Sequence, residues 1–256
     1  MSGAERLWCE RGGRASGPLL VLLHGLGCNA AVWDGLKPKI ASGWPGRWLA
    51  LDFRGHGRSF QAAPYGLGIH AADVAALIDP EDEVVLLGHS MGGIVAVILA
   101  SGLFGVKVRR AIAFNVKMDW SDEDFAKGQA LAQAAPKLFD SQAEAIERYL
   151  KVSGLKGLVD PTSPAAAVGV RAEGGKFRLA VDPRTNGLGK SDFAALGKAA
   201  QAPLTLLCSE KDPMATPEGM ARLGAPVRLM AGLGHNVHVE APEAFWRAIE
   251  GDLGDA

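Results

Sequence analysis

The chain has 256 residues, 48% of them hydrophobic, enough to bury the core of one large α/β domain or two small ones. Its 27 basic and 28 acidic residues leave a formal net charge of −1 with no basic block, which excludes an electrostatic footprint for nucleic acid or an anionic membrane and leaves a small-molecule partner as the expectation. Cys9, Cys28 and Cys208 are few, odd in number and widely spaced, so a disulfide framework and a Cys-x-x-Cys metal site are excluded and a reducing compartment is implied.

In chain order, residues 1–14 are polar and mixed in charge, without the apolar core of a signal peptide. No later apolar run approaches the ~20 residues of a bilayer span, and the cytoplasm is the expected location. Residues 5–10 read as a short edge strand and residues 11–17 as a Gly-rich turn. Pro18 opens Leu19-Leu20-Val21-Leu22-Leu23, a continuous apolar run of the kind buried on both faces of a parallel sheet. It stops at His24-Gly25-Leu26-Gly27, where the glycines let a backbone N–H point into the crevice at the strand's carboxyl end. Residues 29–41 read as one helix with Val32, Trp33, Leu36 and Ile40 on one face, despite Pro38. A strand over 47–52 runs into the turn Phe53-Arg54-Gly55-His56-Gly57-Arg58-Ser59, and a helix follows over 69–78.

Val84-Val85-Leu86-Leu87 then stops at Gly88-His89-Ser90-Met91-Gly92-Gly93. A strand ending in Gly-x-Ser-x-Gly must turn sharply, and its two glycines remove the Cβ atoms that would collide, so Ser90 is held out at the strand end. The run from Ile94 to Ala100 is apolar all round, as a helix buried on a sheet would be, and its N-terminus offers unpaired N–H groups beside the serine. An anion site therefore lies next to a nucleophile. A strand over 110–116 follows, and the alternation of strand and helix argues for a mostly parallel sheet with helices on both faces.

The alternation breaks over residues 117–189, where the pattern becomes helical and amphipathic. Ser121-Asp122-Glu123-Asp124 is a capping signal ahead of Phe125 and Leu131, and a second helix over 141–152 carries Ile146, Tyr149 and Leu150. A short third piece over 163–170 and an extended segment over 176–181 lead back. Too short to hold a core of its own, this stretch is expected to be a small helical lid inserted between two parts of one core, 1–116 and 190–256. Alternation resumes with a strand over 204–208, a helix over 217–223, a strand over 227–230 and a helix over 242–253.

Five motifs, in order, carry a resemblance over essentially the whole chain except the lid: His24-Gly25-Leu26-Gly27, residues 52–59, residues 88–93, Glu210-Lys211-Asp212-Pro213, and Gly234-His235-Asn236-Val237-His238-Val239-Glu240-Ala241-Pro242. Together they resemble the α/β-hydrolase fold family. The resemblance implies hydrolysis of a small carboxylic ester or related acyl bond through an acyl-serine intermediate, with no metal and no cofactor. It also implies a sheet lacking the first of the family's usual eight strands, and the chain order Ser, acid, His for the catalytic residues. A serine hydroxyl needs a base to activate it and a third group to orient that base. Asp212 and His235 fit those roles, since each follows a strand on the rim that carries Ser90. His238 competes as base from three residues away, and His235 is preferred because it directly follows Gly234. Backbone N–H groups of Leu26 and Met91 are the implied oxyanion hole.

His24, His56 and His89 are expected to shape tight loops, Asp52 a turn, and Asp119, Asp160 and Asp182 to be solvated or capping. Trp33 and Phe114 read as core. Trp120, Lys117 and His238 are the candidate substrate contacts, with Lys117 and Arg171 otherwise solvated. Two further readings share this scaffold. Cleavage of a carbon–carbon bond in a vinylogous diketone acid would call for basic residues around the pocket, and a ligand receptor or cofactor-free oxygenase would need no turnover at Ser90.

Overall fold

The structure is a computed structural model that describes residues 6–254. Among these residues seven strands form one sheet: β1 (Cys9–Gly13), β2 (Leu19–Leu23), β3 (Arg47–Leu51), β4 (Glu83–His89), β5 (Lys107–Phe114), β8 (Leu204–Ser209) and β9 (Val227–Met230). Their order across the sheet is β1-β3-β2-β4-β5-β8-β9, antiparallel only at β1 with β3. Successive residues of a strand face opposite sides, and here both sides are covered. Leu19, Val21 and Leu23 of β2 join one buried cluster, and Leu20 and Leu22 join the other. β4 divides likewise into Val84 and Leu86 against Val85 and Leu87, which is why its sequence is apolar without alternation.

One face is covered by α2 (Leu67–Ala75), α3 (Met91–Leu99), α7 (Phe193–Ala199) and α8 (Pro217–Ala221). The other takes α1 (Lys37–Gly43), α5 (Gln142–Val152) and α10 (Pro242–Gly254), with Ile40, Tyr149 and Phe245 among the buried residues. No helix among the described residues is long and apolar enough to cross a membrane.

Three expectations are corrected. The opening strand is Cys9–Gly13 rather than residues 5–10, whose first residue, Glu5, lies outside the described residues. Pairing with β3, Cys9 opposite Leu51 through Gly13 opposite Arg47, carries the strand into glycines that read locally as a turn. The helix expected over 29–41 is two pieces, a 3-10 turn Ala30–Trp33 and α1, because Pro38 lacks an N–H and belongs in the first turn of a helix. Val32, Trp33, Leu36 and Ile40 are nonetheless all buried together.

The stretch 117–189 is only partly helical. It holds α4 (Asp122–Gln133), α5 and α6 (Pro164–Ala167), then an antiparallel hairpin of β6 (Val170–Glu173) and β7 (Lys176–Leu179). Ser121 and Asp124 close the expected capping box on α4, yet α4 buries none of its residues. It rests on the Pro183–Asn186 turn through Gly128, where an added Cβ would meet the Asn186 carbonyl at 2.8 Å. Ile146, Tyr149 and Leu150 of α5, by contrast, sit in the same cluster as β2 and Phe114.

The turn from β4 into α3 has no room to spare. A Cβ on Gly88 would lie 2.7 Å from Gly93 Cα, and one on Gly92 would lie 2.7 Å from the His24 carbonyl oxygen, with the Leu23 carbonyl closer still. Gly92→Ala is therefore expected to destabilise the protein by on the order of 3 kcal/mol, since the obstacle is backbone that cannot rotate away. Thermal unfolding of the purified variant measures it, and a wild-type melting temperature would contradict this packing.

Candidate active site

Ser90 stands between β4 and α3 with φ 51° and ψ −114°, a strained backbone for a residue with a side chain. Its N–H is tied to the Phe114 carbonyl at 2.9 Å. The strain lifts the side chain out of the strand, and Ser90 is half-buried while its neighbours in β4 and α3 are buried.

Asp212 lies in the turn after β8 and His235 in the loop after β9. His235 Nδ1 is 2.7 Å from Asp212 Oδ2, with the carboxylate side chain wholly buried and the imidazole side chain 15% exposed. Asp212 Oδ1 accepts the N–H groups of Met214 and Ala215 at 2.8 and 3.1 Å. A carboxylate so held is a fixed acceptor, which places the His235 proton on Nδ1 and leaves Nε2 free to take another.

Ser90 is brought to this pair through its neighbour: His89 donates from Nε2 to the His235 carbonyl at 3.0 Å, and the two rings lie 4.6 Å apart. Among the described residues no hydrogen bond joins Ser90 Oγ to His235. The loop after β2 closes the other side, for a Cβ on Gly25 would sit 3.4 Å from Ser90 Cβ and 2.8 Å from His89 Nδ1. In that loop His24 donates from Nδ1 to the Gly25 carbonyl at 2.8 Å and accepts the Phe53 N–H on Nε2 at 3.0 Å. Asp52, also fully buried, accepts the Ala30 N–H at 2.6 Å and the Arg58 backbone and guanidinium at 2.8 to 3.1 Å. It thus fastens the loop after β2 to the loop after β3. The Leu26 and Met91 N–H groups take no hydrogen-bond partner among the described residues.

Of the six histidines, five are buried outright and His235 alone has a carboxylate partner among the described residues. Burial holds His24, His56 and His89 below the ordinary imidazole value and takes His70 to about 4. His238 is corrected as a substrate contact. On the short helix α9 (Val237–Glu240) it turns inward and is 0% exposed, its ring 4.6 Å from His89, 4.7 Å from Trp33 and 5.2 Å from Phe114. Burial takes its pKa down to about 3, and neither ring nitrogen has a hydrogen-bond partner among the described residues.

Lys117 and Trp120 engage each other rather than Ser90, Asp212 or His235. Lys117 Nζ pairs with Asp124 at 3.0 Å and lies 4.6 Å over the Trp120 ring, whose Nε1 donates to the Lys117 carbonyl. No hydrogen bond, ion pair or ring contact joins either to Ser90, Asp212 or His235 among the described residues. Arg171 is not solvated as expected. It reaches from β6 to the carbonyls of Gly57 at 2.9 and 2.5 Å and Ser59 at 2.6 Å, along a groove of about 900 Å³ whose lining does not include Ser90. One residue that sequence reasoning passed over is Asn115, whose side chain reaches the His235 carbonyl at 2.8 Å.

Comparison with known proteins gives the same scaffold. The model of the alpha/beta hydrolase family matches residues 20–248. The 2-(acetamidomethylene)succinate hydrolase of Mesorhizobium japonicum is 27% identical over 255 residues, covering 92% of this chain and 88% of that protein. A pimeloyl-(acyl-carrier protein) methyl ester esterase of Neisseria meningitidis is 33% identical over 135 residues, 51% of this chain and 42% of that one. A crystal structure of E-2-(acetamidomethylene)succinate hydrolase superposes with a TM-score of 0.79 at 24% identity, over 98% of this chain and 95% of the other.

Proposed function

The chain belongs to the alpha/beta hydrolase family, and within it we propose a serine hydrolase that cleaves a small carboxylic ester or related acyl bond through an acyl-Ser90 intermediate. The observation that carries this reading is the 2.7 Å bond between His235 Nδ1 and a buried Asp212, on the sheet edge that presents Ser90. As the substrate enters, Ser90 Oγ closes on His235 Nε2, a contact that is commonly loose in an empty site. Ser90 Oγ bonds to the acyl carbon while its proton passes to Nε2. The ester C–O bond then breaks as the same proton moves to the departing alkoxide. Water repeats the sequence on the acyl-enzyme and releases the acid, with Asp212 stabilising the imidazolium in both halves.

The uncommitted Leu26 and Met91 N–H groups receive the oxyanion. Leu26→Ala keeps its N–H, so turnover is expected to stay within about threefold, against the roughly 10²- to 10³-fold loss that removing one such donor costs. A loss of the larger size on a nitrophenyl ester would show that the side chain, not the backbone, carries the role. Lys117 and Arg171, the basic residues that a carbon–carbon hydrolase of a charged acid would use, are engaged with Asp124 and with backbone carbonyls, which favours an uncharged ester. Residues 117–189 serve as the lid in this reading.

A fluorophosphonate probe is expected to label the protein stoichiometrically, and a panel of nitrophenyl esters of increasing acyl length to show turnover with a preferred length. Folded protein that neither takes the label nor turns over any ester of the panel would sink the proposal.

A further inference from the structure

Two residues with side chains hold a positive φ among the described residues: Ser90, and Asn115 at 52°. Asparagine tolerates the left-handed region better than most, but surrounding contacts must still hold it there. Asn115 follows β5 and is 0% exposed. A buried amide is costly unless both its ends are paired, and this one is paired throughout. Oδ1 accepts the Ser209 N–H at 2.8 Å, and Nδ2 donates to Ser209 Oγ at 3.0 Å, to the His235 carbonyl at 2.8 Å and, more distantly, to the Gly234 carbonyl at 3.3 Å. Its backbone N–H goes to the Leu207 carbonyl at 3.0 Å. One side chain therefore binds the ends of β5 and β8 to the loop that carries His235.

The His235 carbonyl has room for two donors, and the second is His89 Nε2 at 3.0 Å. His89 precedes Ser90, so this one oxygen is gripped from the strand of the nucleophile and from the strand beside it. The loop runs through Gly232 and Gly234, whose N–H groups rest on the Glu210 and Glu240 carboxylates at 2.7 and 2.8 Å, so the His235 carbonyl is its anchor on the sheet side. Asp212 fixes how the imidazole turns, and the carbonyl fixes where its backbone stands.

Resting on the reading of His235 as the base, we propose that Asn115 is a positioning residue, which holds His235 in line with Ser90 by anchoring its backbone carbonyl. Asn115→Asp keeps the size and the tolerance of positive φ but turns the donor into an acceptor facing two carbonyls. Asn115→Gly keeps the backbone and deletes the side chain. Both variants are expected to fold, with kcat on a nitrophenyl ester down by roughly 10- to 100-fold, the scale of an ångström-sized misplacement. KM should stay within about twofold, since ground-state binding is untouched. Fluorophosphonate labelling of Ser90 should slow in proportion to kcat, and the low-field proton resonance of the His235–Asp212 bond should shift or broaden. Ser209→Ala removes the hydroxyl that Asn115 Nδ2 reaches outside the His235 loop, keeps the Ser209 N–H on Oδ1, and should hold kcat within about threefold if the bond to His235 is what matters.

Unchanged kcat in folded variants overturns the assignment. So does a loss in Ser209→Ala as deep as in Asn115→Gly, which would make the tie between β5 and β8 the operative one, and so does a failure of both Asn115 variants to fold. His235→Ala separates the two levels: if it keeps turnover, the triad reading itself has failed, whereas an inactive His235→Ala beside fully active Asn115 variants overturns the present inference alone.

Discussion

Ser90→Ala is expected to lower turnover by roughly 10⁴-fold or more while leaving the melting temperature near that of the wild type, since the acyl-enzyme route has no other nucleophile. The two halves of that statement have separate grounds. Loss of turnover follows from position: the residue sits at the one turn where β4, the loop after β2 and the His235 loop converge. Retention of the fold follows from contacts, because Ser90 anchors the turn through its backbone, with its N–H on Phe114 and its carbonyl accepting from Gly93 and Ile94. All three bonds survive in alanine. Steady-state kinetics, fluorophosphonate incorporation and circular dichroism melts together read the result. Near-normal turnover, or label still entering the alanine variant at the wild-type rate, would move the chemistry elsewhere.

What is legible in the sequence is whatever short stretches carry. Leu19–Leu23 announces a strand buried on both faces because every residue is apolar, and the structure divides those residues between the two sides of the sheet. Residues 88–93 announce the elbow because only glycine fits where Gly88 and Gly92 pass backbone. The strands and turns bearing Asp212 and His235 follow the same local logic, and the 2.7 Å bond between the two supports their pairing.

What the sequence conceals depends on partners remote along the chain. Nothing local marks Asn115, whose side-chain partners lie 94 to 120 residues away. His238 reads as a loop residue near a pocket until Trp33 and Phe114 are seen to close over it. The hairpin of β6 and β7 did carry a signal, a Gly174-Gly175 pair between two short runs, with both glycines at positive φ. Its second strand is legible as the extended segment over 176–181, but the first, β6, has only four residues and reads as the tail of the short piece over 163–170. Arg171 reads as solvated because its acceptors, two backbone carbonyls of another loop, have no sequence signature.

His235→Ala should fall nearly as far as Ser90→Ala, and the double variant no further, because members of a triad act as a unit and their losses do not add. His238→Phe should keep turnover within about threefold, since a ring whose nitrogens have no hydrogen-bond partner among the described residues loses none on becoming a benzene ring of similar shape. The two histidines also separate by pH. His235 acts on turnover, because its ring must be neutral to accept the serine proton. His238 acts on stability instead. Its folded-state pKa, about 3, lies below the unfolded 6.5, so the unfolded chain takes up the proton first. Stability contributed by the neutral ring is therefore full above pH 6.5 and falls on acidification toward about 3. His238→Phe has no proton to take up in either state, so its acid-unfolding midpoint should lie below that of the wild type while its turnover at neutral pH stays near that of the wild type. If His238→Phe instead abolishes turnover in folded protein and His235→Ala spares it, the base has been assigned to the wrong histidine.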